Sequence, residues 1–193
     1  MNKLICLVGM PGAGKSAVSE YLLSKKDFGY FRFGQIVLDK VIESGQPQSE
    51  ELERKIREDI RTEHGMAAMA ILNLPKIELL IKKGDVIGDG LYSWEEYLFL
   101  KEKFGDNLII VAIYSSPKLR YSRLENRAEK HGVDTELKFR SFTEDEVKTR
   151  DRAEIENLHK AGPIAMADYT LINTTTLKNL QSQIDQVLTE IYK

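Results

Sequence analysis

Gly9-Met10-Pro11-Gly12-Ala13-Gly14-Lys15-Ser16 fits the pattern G-x-x-x-x-G-K-[ST] at every position. The stretch follows an apolar run that is typical of a buried strand, and it opens a helical pattern. Glycines let backbone N–H groups approach phosphates without a Cβ clash, and a helix start adds unpaired donors. The loop is therefore predicted to bind the phosphates of a purine nucleoside triphosphate, with ATP and Mg²⁺ as the expected pair. The residues predicted to bind the nucleotide are Gly9, Pro11, Gly12, Ala13, Gly14, Lys15, Ser16 and Ala17.

Around this loop, short apolar runs alternate with longer helical patterns. The apolar runs predict strands at 3–8, 30–33, 86–89, 108–114 and 169–173. The helical patterns predict helices at 14–26, 35–44, 50–64, 66–83, 94–104, 117–130 and 143–160, with Thr175 or Thr176 capping a terminal helix. Such alternation predicts an α/β fold with a parallel sheet covered on both faces. Because no repeat or long linker divides the 193 residues, we expect one domain over 1–193.

Composition narrows the function classes. Hydrophobic residues make up 42% and charged residues 30%, and the net charge of −2 gives no global field that would attract nucleic acid or an anionic membrane. No apolar stretch reaches the ~18 residues that span a bilayer. The single cysteine, Cys6, cannot form an intramolecular disulfide, which favours a reducing cytoplasm. We expect a cytoplasmic monomer or weak homodimer with no nucleic-acid or membrane partner.

Asp89 is the leading candidate for a second metal ligand. It ends the predicted strand at 86–89, and in open parallel sheets ligands bind at the carboxyl ends of the strands. There it could share Mg²⁺ with the hydroxyl of Ser16, while Lys15 reaches the β- and γ-phosphates. The alternative is a strand-ending aspartate that caps the next turn.

A row of arginines follows the strongest predicted strand. Arg120, Arg123 and Arg127 lie at i, i+3 and i+7, which places them on one face of a helix beside its apolar stripe. Cations there could surround the charge of a transferring phosphoryl group, or they could form a solvated face paired with neighbouring glutamates. Three more arginines could close over a ligand as a mobile lid does, or be surface charges: Arg140, Arg150 and Arg152.

On these residues the chain resembles the nucleoside-monophosphate-kinase-like branch of P-loop kinases, and within it the adenylate-kinase-like and dephospho-CoA-kinase-like proteins. The resemblance runs nearly end to end and is carried by GMPGAGKS (9–16), RFGQIV (32–37), IRTEHG (60–65), DGLYSWEEY (89–97), FGDNLIIVAIYSSPKLRYSRLENR (104–127) and ADYTLINTTTLKNL (167–180). It implies a three-layer P-loop NTPase fold with a five-stranded parallel sheet. It also implies a helical acceptor-binding insert at about 34–83 and a small lid at about 128–150.

The resemblance also implies roles for residues outside the loop. Arg123 and Arg127 look like the pair that holds transferring phosphates, so with Lys15 and Asp89 they complete the expected catalytic set. Asn173 and the threonines after it resemble the segment that cradles the donor base. The residues expected on the acceptor side are Gly34, Arg61, Tyr92 and Arg150.

The chain departs from the adenylate kinase pattern at three places on the acceptor side. Leu38 stands where those enzymes usually have an arginine, Tyr92 and Ser93 where they have another, and Gln35 where related kinases often have aspartate. The resemblance therefore does not carry over a standard adenylate kinase acceptor site.

Together these features predict an ATP-dependent phosphotransferase whose acceptor is a nucleotide or nucleotide-like molecule, of the nucleoside monophosphate or dephospho-CoA type. An alternative is a regulatory protein that binds and slowly hydrolyses ATP without a small-molecule acceptor. A third possibility is a kinase of a non-nucleotide small molecule, which would share the donor site and differ in the insert at 34–83.

Overall fold

The structure, a computed structural model, describes residues 2–126 and 144–193, and its frame is one sheet of parallel strands. The strands are β1 (Leu4–Val8), β2 (Gly29–Arg32), β3 (Val86–Asp89), β4 (Leu108–Tyr114) and β5 (Tyr169–Ile172). Their spatial order is β2-β3-β1-β4-β5. All four neighbouring pairs are parallel, which confirms the predicted five-stranded α/β fold.

Helices join the strands on both faces. They are α1 (Lys15–Lys25), α2 (Gln35–Glu43), α3 (Glu50–His64), α4 (Ala68–Ile81), α5 (Trp94–Phe104), α6 (Pro117–Glu125), α7 (Glu144–Glu156), α8 (Ala161–Ala165) and α9 (Leu177–Ile191). A 3₁₀ turn, Gly105–Asn107, leads into β4. The hydroxyl of Thr176 accepts from the N–H of Asn179, so the predicted cap of the terminal helix is confirmed.

Burial alternates along the central strand β1. Leu4, Cys6 and Val8 pack into one cluster with residues of α4 and α5, whereas Ile5 and Leu7 pack into a second with residues of α1 and α9. A parallel strand that is covered on both faces must be apolar at every position, and all five residues of β1 are buried. Burial raises the pKa of the Cys6 thiol.

One predicted helix is divided. The helical pattern over 143–160 becomes α7, which ends at Glu156, and the separate short helix α8. The chain turns at His159, whose φ is 50°, and the N–H of Lys160 donates back to the carbonyl of Glu154 at 3.1 Å. The predicted end of the helix at 117–130 and most of the lid at 128–150 lie outside the described residues.

In the described part of the chain, no single helix has the length and apolar character of a membrane span. Helices Glu51–His64 and Ala68–Ile81 meet that test only when taken together, and they are bent by 81°.

A buried ion pair ties α7 to α6. Arg120 Nη1 and Nη2 donate to the two carboxylate oxygens of Asp151 at 3.0 and 2.6 Å, and the hydroxyl of Tyr121 donates to the same group at 3.2 Å. Arg120 is 5% exposed and Asp151 is 7% exposed. The predicted basic face therefore includes an arginine that is a structural residue.

We predict that Asp151→Asn destabilises the chain by about 3–5 kcal/mol, because the buried guanidinium of Arg120 would lose its counter-charge. Urea unfolding measures the change. The matched control is Asp145→Asn on the same helix, where the side chain is fully exposed and the expected change is within about 0.5 kcal/mol. Equal stabilities of the two variants would contradict a structural role for the pair.

Candidate functional site

The loop between β1 and α1 is held by its carbonyl groups. Each carbonyl from Gly9 to Ala13 accepts a hydrogen bond from a side chain. The donors are Lys15 Nζ for Gly9 and Met10 (2.8 and 3.4 Å), Arg120 Nη1 for Pro11 (3.0 Å), Arg123 Nη1 for Gly12 (3.4 Å) and Asn173 Nδ2 for Ala13 (2.8 Å). Carbonyl groups that the protein engages cannot repel a phosphate, so the amides of the loop are the groups that a phosphate would meet.

Two glycines of the loop lie against other parts of the backbone. Gly12 has φ +77°, and a Cβ there would lie 2.7 Å from the carbonyl oxygen of Arg120. A Cβ on Gly9 would lie 2.5 Å from the carbonyl oxygen of Ile113. Any side chain at either position would push the loop away from the helix or strand that supports it.

Lys15 begins α1, with Gly14 as the N-cap, and Ser16 and Ala17 follow in the first turn. The first N–H groups of a helix have no intrahelical acceptor and favour an anion. Burial, reinforced by the nearby charge of Lys160, lowers the pKa of Lys15 to about 7, although Asp89 and Glu154 act in the opposite direction. A bound polyphosphate would reverse that balance.

Asp89 ends β3 beside the loop, where its register partner in β1 is Leu7. Among the described residues, its carboxylate accepts a hydrogen bond from the hydroxyl of Tyr30, at 3.2 Å. The described part of the chain contains no group of three or more His, Cys, Asp or Glu that could hold a metal. Mg²⁺ does not need such a group, because it binds one or two protein oxygens together with phosphate oxygens and water. The oxygens of Ser16 and Asp89 fit that requirement.

Arg123 and Asn173 lie behind the loop. Arg123 Nη1 donates to Ser115 Oγ at 2.8 Å, and Nη2 donates to the carbonyl of Asn173 at 2.9 Å. Asn173 is 9% exposed and would collide with any side chain at Gly14. Both residues therefore support the loop. Their predicted contacts with the transferring phosphate and the donor base stay predictions, and Arg127 lies outside the described residues.

The residues expected on the acceptor side lie around Tyr92. A Cβ on Gly34 would lie 3.3 Å from the hydroxyl of Tyr92. Arg61 projects from α3, and burial lowers the pKa of its guanidinium. The nearby Glu96 and Tyr92 act in the opposite direction. Arg150 Nε donates to Glu154 Oε1 at 3.0 Å. Trp94 stacks on Tyr97 with 5.0 Å between ring centroids, so these two rings are packing residues.

Sequence reasoning missed three buried charged residues at this place: Lys160, Glu154 and Glu96. Lys160 is 1% exposed, lies 2.5 Å from Glu154 Oε2 and stands 4.7 Å above the ring of Tyr92. Burial alone would raise the pKa of Glu154, but the charges of Lys160 and Arg150 lower it to about 2. Lys160 thus brings a cation to Tyr92, one of the positions that depart from the adenylate kinase pattern.

Glu96 is 0% exposed on α5, and burial raises its pKa to about 7. The i, i+4 spacing of Arg150 and Glu154 was a signal for one ion pair. Nothing in the sequence pattern predicts that Lys160 or Glu96 is buried. Of the positions that depart from the adenylate kinase pattern, Leu38 is a core residue and Gln35 bonds to Asp39 on the exposed side of α2.

Comparison with known proteins gives the chain a family. Residues 5–157 match the family model described as an AAA domain. A UPF0200 protein of Pyrococcus horikoshii is 30% identical over 190 residues, which cover 97% of each chain. A UPF0200 protein of Sulfurisphaera tokodaii is 33% identical over 189 residues, which cover 98% of this chain and 97% of that protein.

Two solved structures share the fold at low sequence identity. A shikimate kinase from Acinetobacter baumannii in complex with shikimate has a TM-score of 0.60 and 17% identity, and the match covers 100% of this chain and 94% of that chain. A gluconokinase from Sinorhizobium meliloti has a TM-score of 0.55 and 13% identity, with 99% and 96% covered. These likenesses confirm a kinase-like P-loop fold.

We predict that nucleotide binding takes up a proton at pH 8. With a pKa of about 7, Lys15 is mostly neutral at pH 8 in the free protein, and phosphate charge would restore the ammonium form. Uptake should approach one proton per nucleotide at pH 8 and vanish at pH 6, so affinity for MgATP should fall as pH rises above 7. Calorimetry in buffers of different ionisation enthalpy measures the number of protons taken up per nucleotide bound. Lys15→Arg, which stays charged, should show no uptake, and a wild-type value of zero at pH 8 would refute the prediction.

We also predict that Gly12→Ala weakens MgATP binding at least tenfold, because the added Cβ meets the backbone of Arg120. Gly45→Ala is the matched control, since Gly45 has φ +66° and nothing lies within 4 Å of its Cβ position. Both variants should lose about 1–2 kcal/mol of stability from the left-handed conformation. Nucleotide titration should separate them, and equal affinities would show that the close approach at Gly12 is unimportant.

Proposed function

Since the chain belongs to the UPF0200 family and contains an AAA domain, we propose that it is an ATP-dependent phosphotransferase with a small-molecule acceptor. The acceptor would lie between the phosphate loop and helices α2 to α4, and a nucleotide or nucleotide-like molecule is the expected class. The observation that carries the proposal is that buried charges connect the phosphate loop with the expected acceptor side. Lys160 stands over the ring of Tyr92 and pairs with Glu154, and both charges act on Lys15 of the loop.

Each part of the donor site has a role in this proposal. Lys15 and the loop amides hold the β- and γ-phosphates, and Ser16 and Asp89 would hold Mg²⁺. When bound, Mg²⁺ neutralises charge on the phosphates. Arg123 supports the loop that aligns the donor, and Arg127 is proposed to contact the transferring group. Because phosphoryl transfer has a loose transition state, positioning and charge supply most of the catalysis.

The proposed step conserves atoms and charge. An acceptor oxygen forms a bond to the γ-phosphorus while the bond from that phosphorus to the β–γ bridging oxygen breaks. The electron pair leaves with ADP. When the acceptor oxygen belongs to a hydroxyl, its proton passes to water. The buried charges around Tyr92 support an organised acceptor over plain hydrolysis, since an attacking water does not need them.

The solved structures of similar fold support a small-molecule acceptor. One is named shikimate kinase and holds shikimate, and another is named gluconokinase. The relatives that share the family carry no activity in their names. A non-nucleotide acceptor therefore belongs in any screen beside the nucleoside monophosphates and dephospho-CoA.

We predict acceptor-dependent ADP formation in a coupled assay across such a panel. Lys15→Ala should lower the rate by about 100-fold or more, because the phosphates lose their ammonium partner. Lys25→Ala, on the same helix but exposed, should stay within twofold of the wild type. ADP formed at one rate with and without every acceptor, or stimulated by a protein alone, would instead favour the regulatory alternative.

A further inference from the structure

The backbone of Asp89 is fixed from both sides. Its carbonyl accepts a hydrogen bond from the N–H of Phe33 at 3.0 Å, and the N–H of the next residue, Gly90, donates to the carbonyl of Leu7 at 3.1 Å. These bonds tie the end of β3 to β2 and to β1, its two neighbours in the sheet. The main chain of Asp89 therefore cannot move without disturbing three strands. What remains free is the rotation of its side chain.

One hydrogen bond holds that side chain. The hydroxyl of Tyr30 donates to Asp89 Oδ2 at 3.2 Å, and Oδ1 has no hydrogen-bond partner among the described residues. Arg32, the register partner of Asp89 on β2, forms no ion pair with it in the part of the chain that the structure describes. One oxygen of the carboxylate is thus held by the phenol, and the other is available to a ligand.

Tyr30 is itself placed by the fold. Its register partner in β3 is Ile87, two residues before Asp89, so the side chains of Tyr30 and Asp89 lie on the same face of the sheet. The ring of Tyr30 packs against the buried cluster that contains Ile87 and Val18 of α1. Helix α1 also carries Ser16, the other expected ligand of Mg²⁺. The phenol therefore lies between the sheet and the helix that together would form the metal site.

A carboxylate that binds Mg²⁺ needs a fixed orientation. Mg²⁺ demands near-octahedral geometry and is bound by few protein oxygens, so each ligand must stay in place. Groups that hydrogen-bond to a ligating carboxylate orient it, and their loss typically weakens metal affinity by about 10- to 100-fold. A tyrosine suits this role better than a lysine or an arginine, because it donates a hydrogen bond without adding a positive charge beside the metal.

We propose that Tyr30 is the positioning residue for the metal ligand Asp89. Its hydroxyl holds Oδ2, which keeps Oδ1 in one orientation for the Mg²⁺ that Ser16 would share. Tyr30 acts through Asp89 and not on the nucleotide itself. This inference rests on the donor site of the proposed phosphotransferase and adds the residue that organises its metal.

The test measures how much Mg²⁺ strengthens nucleotide binding to the full chain. Calorimetry gives the affinity for AMP-PNP, a non-hydrolysable ATP analogue, once in excess Mg²⁺ and once in EDTA, and the ratio of the two affinities is the metal preference. Tyr30→Phe keeps the ring and removes the hydroxyl, so the metal preference should fall about tenfold or more. The whole loss should lie in the Mg²⁺ measurement, whereas the affinity in EDTA should match the wild type.

Two comparisons show whether the effect passes through Asp89. Tyr21→Phe is the matched control, because Tyr21 donates to Asp185 Oδ2 at 2.9 Å and packs against the same buried cluster. This variant loses the same kind of hydrogen bond away from the loop, so its metal preference should equal that of the wild type. Asp89→Asn should itself lower the metal preference, and adding Tyr30→Phe to Asp89→Asn should lower it no further.

The outcomes separate this inference from the proposed function. If AMP-PNP binds and Tyr30→Phe keeps the wild-type metal preference, Tyr30 is a packing residue and the donor site stands. Equal losses in Mg²⁺ and in EDTA, a further loss in the double variant, or a wild type without metal preference would each overturn the inference in the same way. If AMP-PNP does not bind the wild type under either condition, the proposed function fails and this inference fails with it.

Discussion

The carbonyl groups of the phosphate loop must be held on the protein side, and most of the site depends on that constraint. Three side chains from two distant parts of the chain hold Pro11, Gly12 and Ala13: Arg120 and Arg123 from α6, and Asn173 from the end of β5. Because these donors are set by the sheet and by the packing of α6, the amides of the loop are oriented before any nucleotide arrives. Preorganised dipoles of this kind stabilise phosphate charge without rearranging during the reaction.

A second constraint is the burial of opposite charges next to the loop. Taking Lys160 and Glu154 out of water is costly, and their 2.5 Å contact offsets part of that cost. Burial and the charge of Lys160 lower the pKa of Lys15 in the empty site, while Glu154 acts in the opposite direction. The phosphate loop and the proposed acceptor side therefore share one electrostatic environment, and we expect a ligand at either place to affect the other.

The sequence predicted the fold well because the patterns that indicate strands, caps and the phosphate loop are local. The apolar run of β4, the capping threonine at Thr176 and the glycine-rich loop each act over a few residues, and each was found where expected. The acceptor side was predicted poorly because it depends on contacts distant in sequence. Lys160 reaches Tyr92 only because the chain turns at His159, and Arg120 is buried only because Asp151 lies opposite it. Neither pairing has a periodic pattern that could reveal it.

The position of Cys6 gives the molecule an internal reporter. Its sulfur lies in the central strand, with Gly88 on one side, Ile110 on the other and no exposed surface. The thiol packs into the cluster under α4 and α5, so a thiol-reactive dye can reach it only after those helices move off the sheet. The labelling rate therefore follows opening of the core and ignores local movement of the surface. Any molecule that binds the folded chain slows that rate by mass action, so one cysteine can rank ligands without an assay of turnover.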